Sequence, residues 1–264
     1  MSAHPSSDPP PHRSLRQWLG ERPFELVLSS GFFGFYAHAG MLDALLAEGL
    51  VPSGAAGSSA GALVAAAWAS GVAMPDLLLA LRTLRREDFW DPSPGLGLLR
   101  GELFRARVAA LLPRRRFEDC PVPLAVSTFD VSRRRTHVVT RGELAPAVVA
   151  SCAVPLLFHP VRHDGRWLLD GGIRDRPGLA GARGERVLVH HLTSRSPWRT
   201  SLPVPRGPTL VALMLDGLPR SGPARLEAGV AAMSLAREAT LRALEAPIDE
   251  GAVRVSAARA RGRG

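Results

Sequence analysis

Apolar runs typical of strands alternate with apolar residues at helical spacing along the first third of the chain. The run FELVLSS at 24–30 is apolar up to its small final residues, which is typical of a buried strand. Residues 35–50 carry apolar side chains at helical spacing and predict a helix that ends near Gly49. A short strand then leads to a turn at Ser59, and the Ala-rich stretch 60–71 predicts another helix. This order of strands and helices predicts a three-layer α/β fold.

The remaining sequence continues this pattern with no internal repeat or domain linker. Helices are predicted over 74–90, 101–116, 143–154 and 222–245, strands over 123–131, 136–140, within 165–172, over 186–192 and over 209–215, and a loop over 193–208. We expect residues 1–22 to be a disordered or loosely attached lead-in, 23–256 a single domain, and 257–264 a frayed basic tail.

Charge changes this picture little. The net charge is +9, and all 33 basic residues are Arg in a chain of 264 residues rich in Ala, Gly and Pro, so a coding bias explains the excess. No aromatic-plus-basic module accompanies the charge, and no nucleic acid partner is expected. The clusters at 114–116 and 133–135 fit either a solvated surface or peripheral contact with an anionic membrane.

Cysteine usage and hydropathy bear on compartment and cofactors. Cys120 and Cys152 form neither a metal-ligand spacing nor a disulfide framework, which favours a reduced, intracellular setting. The amino terminus lacks the apolar stretch of a signal peptide, and no run of about 18 apolar residues occurs. We expect a cytoplasmic protein, peripheral to a membrane at most, with no metal and no cofactor.

The pentapeptide Gly57-Ser58-Ser59-Ala60-Gly61 fits G-x-S-x-G, the pattern of a nucleophilic serine on a strand–turn–helix. We expect Gly57 to tolerate strained dihedral angles and Gly61 to let strand and helix approach closely. The helix that starts after Ser59 would favour negative charge at its hydroxyl. A serine N-cap without chemistry explains the pentapeptide equally well.

Two further segments favour chemistry over capping. Asp170-Gly171-Gly172 places a carboxylate at the end of an apolar strand, where sites form in open α/β sheets. The loop SSGFFGF at 29–35 follows the first predicted strand, and its backbone N–H groups could hold an oxyanion. Each signal is weak alone, and their occurrence on one α/β pattern indicates a serine hydrolase site.

In these segments the chain resembles the patatin-like phospholipases over about 24–178. The family's glycine-rich oxyanion loop, G-x-S-x-G turn and D-G-[GA] motif correspond to LVLSSGFFGFYAHAGML, GSSAGALVAAAWASG and the segment AVVASCAVPLLFHPVRHDGRWLLDGGIRDRPG. The last segment is the most specific, because about a dozen positions agree in order.

This resemblance implies a three-layer α/β/α sandwich with a mostly parallel central sheet. It also implies a catalytic dyad in which Ser59 is the nucleophile and Asp170 the general base, with no histidine between them. Ser59 would attack a fatty-acyl ester of a lipid to form an acyl-enzyme, which water then hydrolyses.

The oxyanion loop departs from the family pattern of consecutive glycines followed by a basic residue. Here the loop reads Ser29-Ser30-Gly31-Phe32-Phe33-Gly34. The amides of Ser30, Gly31 and Phe32 are the expected donors, while the two Phe side chains could restrict the loop, wall an acyl pocket or insert into lipid. Asp175 stands where the family commonly has Asn before Pro.

Alternatives in other classes stay open at this stage. An α/β-hydrolase with a Ser–Asp–His triad would use His190 or His191 after Ser59 and Asp170. A non-catalytic lipid-binding or regulatory protein could keep the same fold. An acyl-enzyme could also pass its acyl group to an alcohol. The acyl chain, headgroup and oligomeric state have no signature in the sequence.

Overall fold

A computed structural model describes residues 13–193 and 203–258. The strands are β1 (Glu25–Leu28), β2 (Gly54–Ser58), β3 (Gly97–Leu99), β4 (Leu124–Asp130), β5 (Arg135–Val139), β6 (Leu156–Phe158), β7 (Val161–His163), β8 (Arg166–Asp170), β9 (Val187–His190), β10 (Leu210–Asp216) and β11 (Ala252–Ser256). The α-helices are α1 (Leu15–Glu21), α2 (Phe35–Ala47), α3 (Ala60–Ala69), α4 (Met74–Arg82), α5 (Glu102–Leu111), α6 (Leu144–Ser151) and α7 (Leu226–Glu245).

Nine of these strands form the central sheet, in the order β11-β10-β9-β1-β2-β4-β8-β7, with β5 also paired to β4. The strands from β11 to β4 along this order are parallel, and β5, β7 and β8 add antiparallel pairs at one side. Together with the helices that flank the sheet, this confirms the predicted three-layer fold with its mostly parallel centre. A separate two-stranded sheet pairs β3 with β6.

Alternation of side chains along the buried strands gives the sheet two apolar faces. On β1, Leu26 and Leu28 join the large core cluster with residues of α2, α3 and α7. Val27 points to the other face and packs in a smaller cluster with Ala56 and Val189. Strands buried on both faces explain why the apolar runs in the sequence were continuous rather than alternating.

Helices α2 and α7 lie very close together because small residues separate them. A Cβ on Gly40 would overlap the backbone carbonyl oxygen of Met233, and one on Gly229 would overlap the ring of Tyr36. This contact fixes α2 and, through it, the loop that precedes α2.

Several predicted boundaries are corrected. The lead-in prediction is wrong for residues 13–22, because α1 is capped by Ser14 and buries Leu15, Trp18 and Leu19. The helices predicted over 74–90 and 101–116 end at Arg82 and Leu111. In the second case Pro113 disfavours helical dihedrals at the preceding residue. The short strand β11 was not predicted.

Other predictions concern residues that the structure does not describe. Residues 1–12, 194–202 and 259–264 lie outside the described residues, including most of the predicted tail and part of the predicted loop over 193–208. Within the described ranges, no helix combines the length and the hydropathy that crossing a bilayer requires.

Candidate active site

Ser59 occupies the sharp turn between β2 and α3. Its backbone has φ 53° and ψ −122°, a conformation that is rare for a residue with a Cβ atom. The Ser59 side chain makes no capping hydrogen bond to α3, so the capping interpretation of the pentapeptide is wrong. Non-glycine residues in strained conformations cluster at functional sites.

The glycines of the pentapeptide serve close packing rather than strained dihedral angles. A Cβ on Gly61 would overlap the carbonyl oxygen of Leu28 in β1, and one on Gly57 would lie 2.6 Å from the carbonyl carbon of Gly61. Gly57 is not among the residues with positive φ, so the expectation of strain there is wrong. The strain falls on Ser59 itself.

Strand register explains why two residues 111 positions apart meet. On β4, Ser127 pairs with Ser58 of β2 and the next residue, Thr128, pairs with Asp170 of β8. Since β5 occupies the other side of β4 at both positions, β2 and β8 lie on the same side. The two strands run toward each other and end head to head.

This meeting of strand ends brings the hydroxyl and the carboxylate into direct contact. The Ser59 Oγ donates a hydrogen bond to Asp170 Oδ2 at 2.6 Å. The other carboxylate oxygen, Oδ1, accepts from the amide of Gly172 at 2.8 Å. The direct bond leaves no position for an imidazole between the two side chains.

Close contacts also explain why both residues after Asp170 are glycines. A Cβ on Gly171 would overlap the carbonyl oxygen of Ser127, and one on Gly172 would overlap the hydroxyl of Ser30. The Asp-Gly-Gly turn can therefore approach both β4 and the oxyanion loop.

Burial controls the electrostatics of this carboxylate. Loss of solvent raises the pKa of Asp170 to about 6, and the hydrogen bonds from Ser59 and Gly172 oppose that rise, as does the charge of Arg176. A carboxylate with this pKa is ionised at neutral pH and is a stronger proton acceptor than an exposed aspartate.

Two neighbouring side chains hold the backbone of Ser59, and both escaped the sequence interpretation. The Ser151 hydroxyl accepts from the Ser59 amide at 2.8 Å and donates to the Ser127 carbonyl at 2.6 Å. The Cys152 thiol lies 3.2 Å from the Ser59 carbonyl oxygen, and burial raises the pKa of this thiol. The Ala-Ser pair in the resembling segment was the available signal for Ser151.

The oxyanion loop differs in part from expectation. The Ser30 amide donates to the carbonyl of Arg176 at 2.7 Å, so the prediction of this amide as an oxyanion donor is wrong. Within the described part of the chain, the amides of Gly31 and Phe32 have no acceptor. The backbone of Phe33 has a φ of 54°, in the left-handed region that residues with a Cβ atom rarely adopt.

Asp175 supports the loop that carries the carbonyl of Arg176. Its carboxylate accepts from the Ser127 hydroxyl at 2.6 Å and from three amides of the turn that follows, those of Gly178, Leu179 and Ala180. Both oxygens of the Asp175 carboxylate accept hydrogen bonds. These hydrogen bonds are a structural reason for Asp at a position where the family commonly has Asn.

His38 and His190 form a buried pair next to the oxyanion loop. His38 Nε2 lies 2.8 Å from the carbonyl oxygen of Ser29 and must donate to it, while His38 Nδ1 lies 2.9 Å from His190 Nδ1. Burial lowers the pKa of His38 to about 4, so the ring is neutral and its Nδ1 accepts from His190. His190 is therefore committed to His38, and burial also lowers the pKa of His191.

A cavity of about 530 Å³ contains Ser59 and Asp170. Its wall is mainly apolar, with side chains from α3, α4, α5 and the segment 152–158, among them Leu63, Leu81, Phe104, Val108 and Phe158. Phe32 and Phe33 of the oxyanion loop line it too. A cavity of this size and lining has room for an aliphatic chain.

The other predicted features lie away from this cavity. The arginines at 114–116 and 133–135 are exposed and do not line it. The described ranges contain no group of three or more His, Cys, Asp or Glu side chains placed to hold a metal ion.

The sequence model of the patatin-like phospholipase family matches residues 26–183. An uncharacterized NTE family protein of Mycobacterium tuberculosis is 35% identical over 164 residues, which cover 60% of this chain and 45% of that protein. A second one from the same organism is 28% identical over 168 residues, 61% of this chain and 28% of its own length. The chain thus spans less than half the length of these curated relatives.

Among solved structures, VipD from Legionella pneumophila shares the fold with a TM-score of 0.62 at 14% identity, over 84% of this chain and 66% of VipD. The family match covers more than half of the chain, over the same segments that carry the Ser59 and Asp170 motifs. This protein belongs to the patatin-like phospholipase family.

Proposed function

We propose that this protein is a serine acyl hydrolase of lipase or phospholipase A type that cleaves fatty-acyl esters of lipids with a Ser59–Asp170 dyad. The observation that carries the proposal is the 2.6 Å hydrogen bond from the Ser59 hydroxyl to the buried Asp170 carboxylate inside an apolar cavity. Family membership supports a lipid substrate.

Acylation begins when Asp170 Oδ2 takes the proton of Ser59 as Oγ attacks the ester carbonyl carbon. The carbonyl oxygen becomes an oxyanion, for which the amides of Gly31 and Phe32 are the candidate donors because no acceptor uses them in the described chain. When the tetrahedral intermediate collapses, Asp170 returns the proton to the leaving alcohol.

Deacylation repeats these steps with water as the nucleophile. Asp170 accepts a proton from water, the hydroxide adds to the acyl carbon, and collapse releases the fatty acid while Ser59 regains its proton. An alcohol in place of water would give acyl transfer through the same acyl-enzyme.

Acyl-ester turnover by single-site variants tests the dyad. We expect Ser59→Ala and Asp170→Asn to lower kcat for p-nitrophenyl acyl esters by at least about 10³-fold, since each removes one half of the proton-transfer pair. Ser58→Ala is the matched control, because Ser58 is the neighbouring buried serine and its hydroxyl has no partner in the described chain.

The competing classes give different results in the same assay. Full activity of Asp170→Asn would contradict the dyad, and loss of activity in folded His190→Ala or His191→Ala would favour the triad. Lipid binding without turnover by wild type would favour the non-catalytic class. Covalent labelling by a fluorophosphonate, located at Ser59 by peptide mass analysis, identifies the nucleophile directly.

A further inference from the structure

Four large apolar side chains in or next to the wall of the cavity face solvent, and we call them the rim: Phe32, Leu98, Leu156 and Ile173. Their exposed fractions are 57%, 49%, 83% and 38%, respectively. Phe32 and Ile173 themselves line the cavity, and Leu98 and Leu156 each adjoin a residue that lines it. The cavity that contains Ser59 therefore has exposed apolar side chains at its border.

Leu156 is the most unusual member of the rim. Its φ is 67°, a left-handed conformation that costs free energy for any residue with a Cβ and is ordinarily occupied by glycine. Because its side chain is almost fully exposed, packing within the protein does not compensate for this strain. A strained leucine held out into water suggests an apolar contact outside the chain.

The small sheet explains how the two leucines are presented together. β3 and β6 are parallel, with Gly97 opposite Leu156 and Leu99 opposite Phe158. Leu99 and Phe158 line the cavity, whereas Leu98 points away from it to solvent. Gly97, the partner of Leu156, directly precedes Leu98, so the two exposed leucines lie close together at one end of this sheet.

Cationic side chains accompany the rim. Arg107 of α5 lines the cavity and is exposed, and the exposed Arg174 directly follows Ile173. Neither has a carboxylate partner within the described residues, whereas Arg100 nearby lies 3.7 Å from Glu102. An apolar border with unpaired arginines matches the acyl and phosphate layers of an anionic leaflet.

We propose that the rim docks this protein onto an anionic phospholipid bilayer, with Leu98 and Leu156 inserted among acyl chains and Arg107 and Arg174 at the phosphates. The proposal rests on the proposed function for what the docking accomplishes: an acyl chain passes from the leaflet into the cavity without crossing water. A protein partner would not need a lipid-sized cavity beside its contact.

Vesicle flotation of the full chain in a Ser59→Ala background tests the docking without any turnover, so failure of hydrolysis and failure of docking are separate results. With vesicles of phosphatidylcholine and phosphatidylglycerol, we expect Leu156→Asn and Leu98→Ser each to weaken binding about ten-fold. Asn tolerates left-handed dihedral angles, so Leu156→Asn should fold with an unchanged or higher Tm.

Matched controls fix the location. Val51 is 60% exposed and lies before the amino-terminal end of β2, whereas Ser59 follows its carboxyl-terminal end. Val51→Ser should therefore bind the vesicles as the parent protein does. Arg107→Gln with Arg174→Gln should weaken binding and flatten its salt dependence, whereas Arg134→Gln with Arg135→Gln should not.

Several results would overturn the proposal. They are unchanged binding by the Leu98→Ser, Leu156→Asn double variant, an equal loss in Val51→Ser or in the Arg134, Arg135 variant, and equal binding to vesicles of phosphatidylcholine alone. A dimer in solution that dissociates on Leu156→Asn would assign the rim to contact between copies instead.

Discussion

At the scale of single residues, the site combines strain with burial. Ser59 has a backbone conformation that is rare outside glycine, and the amide that this exposes is held by Ser151. Asp170 is buried, which raises its pKa to about 6 and makes it a better base at neutral pH than an exposed carboxylate. The same burial makes the ionised carboxylate costly for the folded state.

Asp170→Asn should therefore lose activity and gain stability at alkaline pH. The folded pKa of about 6 lies above the ordinary value of 3.8, so the folded state binds this proton more tightly. The stability contributed by Asp170 is fully present below about 3.8 and is lost as the pH rises through 6. At pH 8 the uncharged amide should raise the free energy of unfolding by about 3 kcal/mol, and near pH 4 by less than about 1 kcal/mol.

Urea denaturation of wild type and variant across this pH range measures the difference. Asp164→Asn serves as the control, because the Asp164 carboxylate is exposed and its neutralisation should change stability little. A gain in Asp170→Asn that does not depend on pH would show that packing, and not ionisation, causes it.

At the scale of elements, close contacts between backbones position the loops of the candidate site. Gly61 lets α3 approach β1, and Gly40 lets α2 approach α7. Because the loop at 29–34 connects β1 to α2 and the turn at Ser59 connects β2 to α3, the spacing of these helices sets the spacing of the loops. Small residues are here a packing requirement rather than a source of flexibility.

Gly40→Ala should separate α2 from α7 and lower the free energy of unfolding by about 2–3 kcal/mol. The added Cβ would overlap the Met233 carbonyl oxygen, a backbone atom that cannot rotate away. Gly20→Ala is the matched control in α1, where a Cβ has nothing within 4 Å and the better helix propensity should add up to about 1 kcal/mol. Equal stability of the two variants in urea would refute this account of the helix pair.

At the scale of the whole molecule, the cavity is assembled from segments that are far apart in the chain. Helices α3, α4 and α5, the segment 152–158 and the oxyanion loop each supply part of its wall. Under the proposed function, its volume of about 530 Å³ and its apolar wall should favour substrates with long acyl chains. The shape of this chamber therefore depends on how the helices pack over the sheet edge.

Ala80→Phe should shorten the chamber and change chain-length preference. Ala80 of α4 lines the cavity, and a phenyl ring there would occupy space that a long chain needs. We expect kcat/KM for a dodecanoyl ester to fall roughly ten-fold relative to a butanoyl ester. Ala109→Phe, at an exposed position of α5 outside the cavity wall, should leave the ratio unchanged. A parallel loss for both esters in Ala80→Phe would indicate misfolding or a substrate channel elsewhere.

The sequence by itself determined the alternation of strands and helices, the turn at Ser59 and the position of Asp170 at a strand end. These features are local, because side-chain periodicity and turn residues are encoded within about ten positions of each other. They were sufficient to predict the fold class and to single out Ser59 and Asp170 as candidates. The amphipathic helices α4 and α5 were also predicted, although not the cavity that they cover.

Only the tertiary structure decided what those residues contact. The head-to-head meeting of β2 and β8 depends on their register against β4, which no local pattern encodes. The same holds for the Ser30 amide, which donates a hydrogen bond to the carbonyl oxygen of Arg176. It also holds for α1, whose burial depends on packing against distant elements. The proximity of Leu156 to Leu98 likewise follows from how β6 pairs with β3. Hydrogen bonds and packing between distant segments form only when the whole chain is folded, so they determine the geometry of the site. The local sequence could indicate only which residues belong to the site.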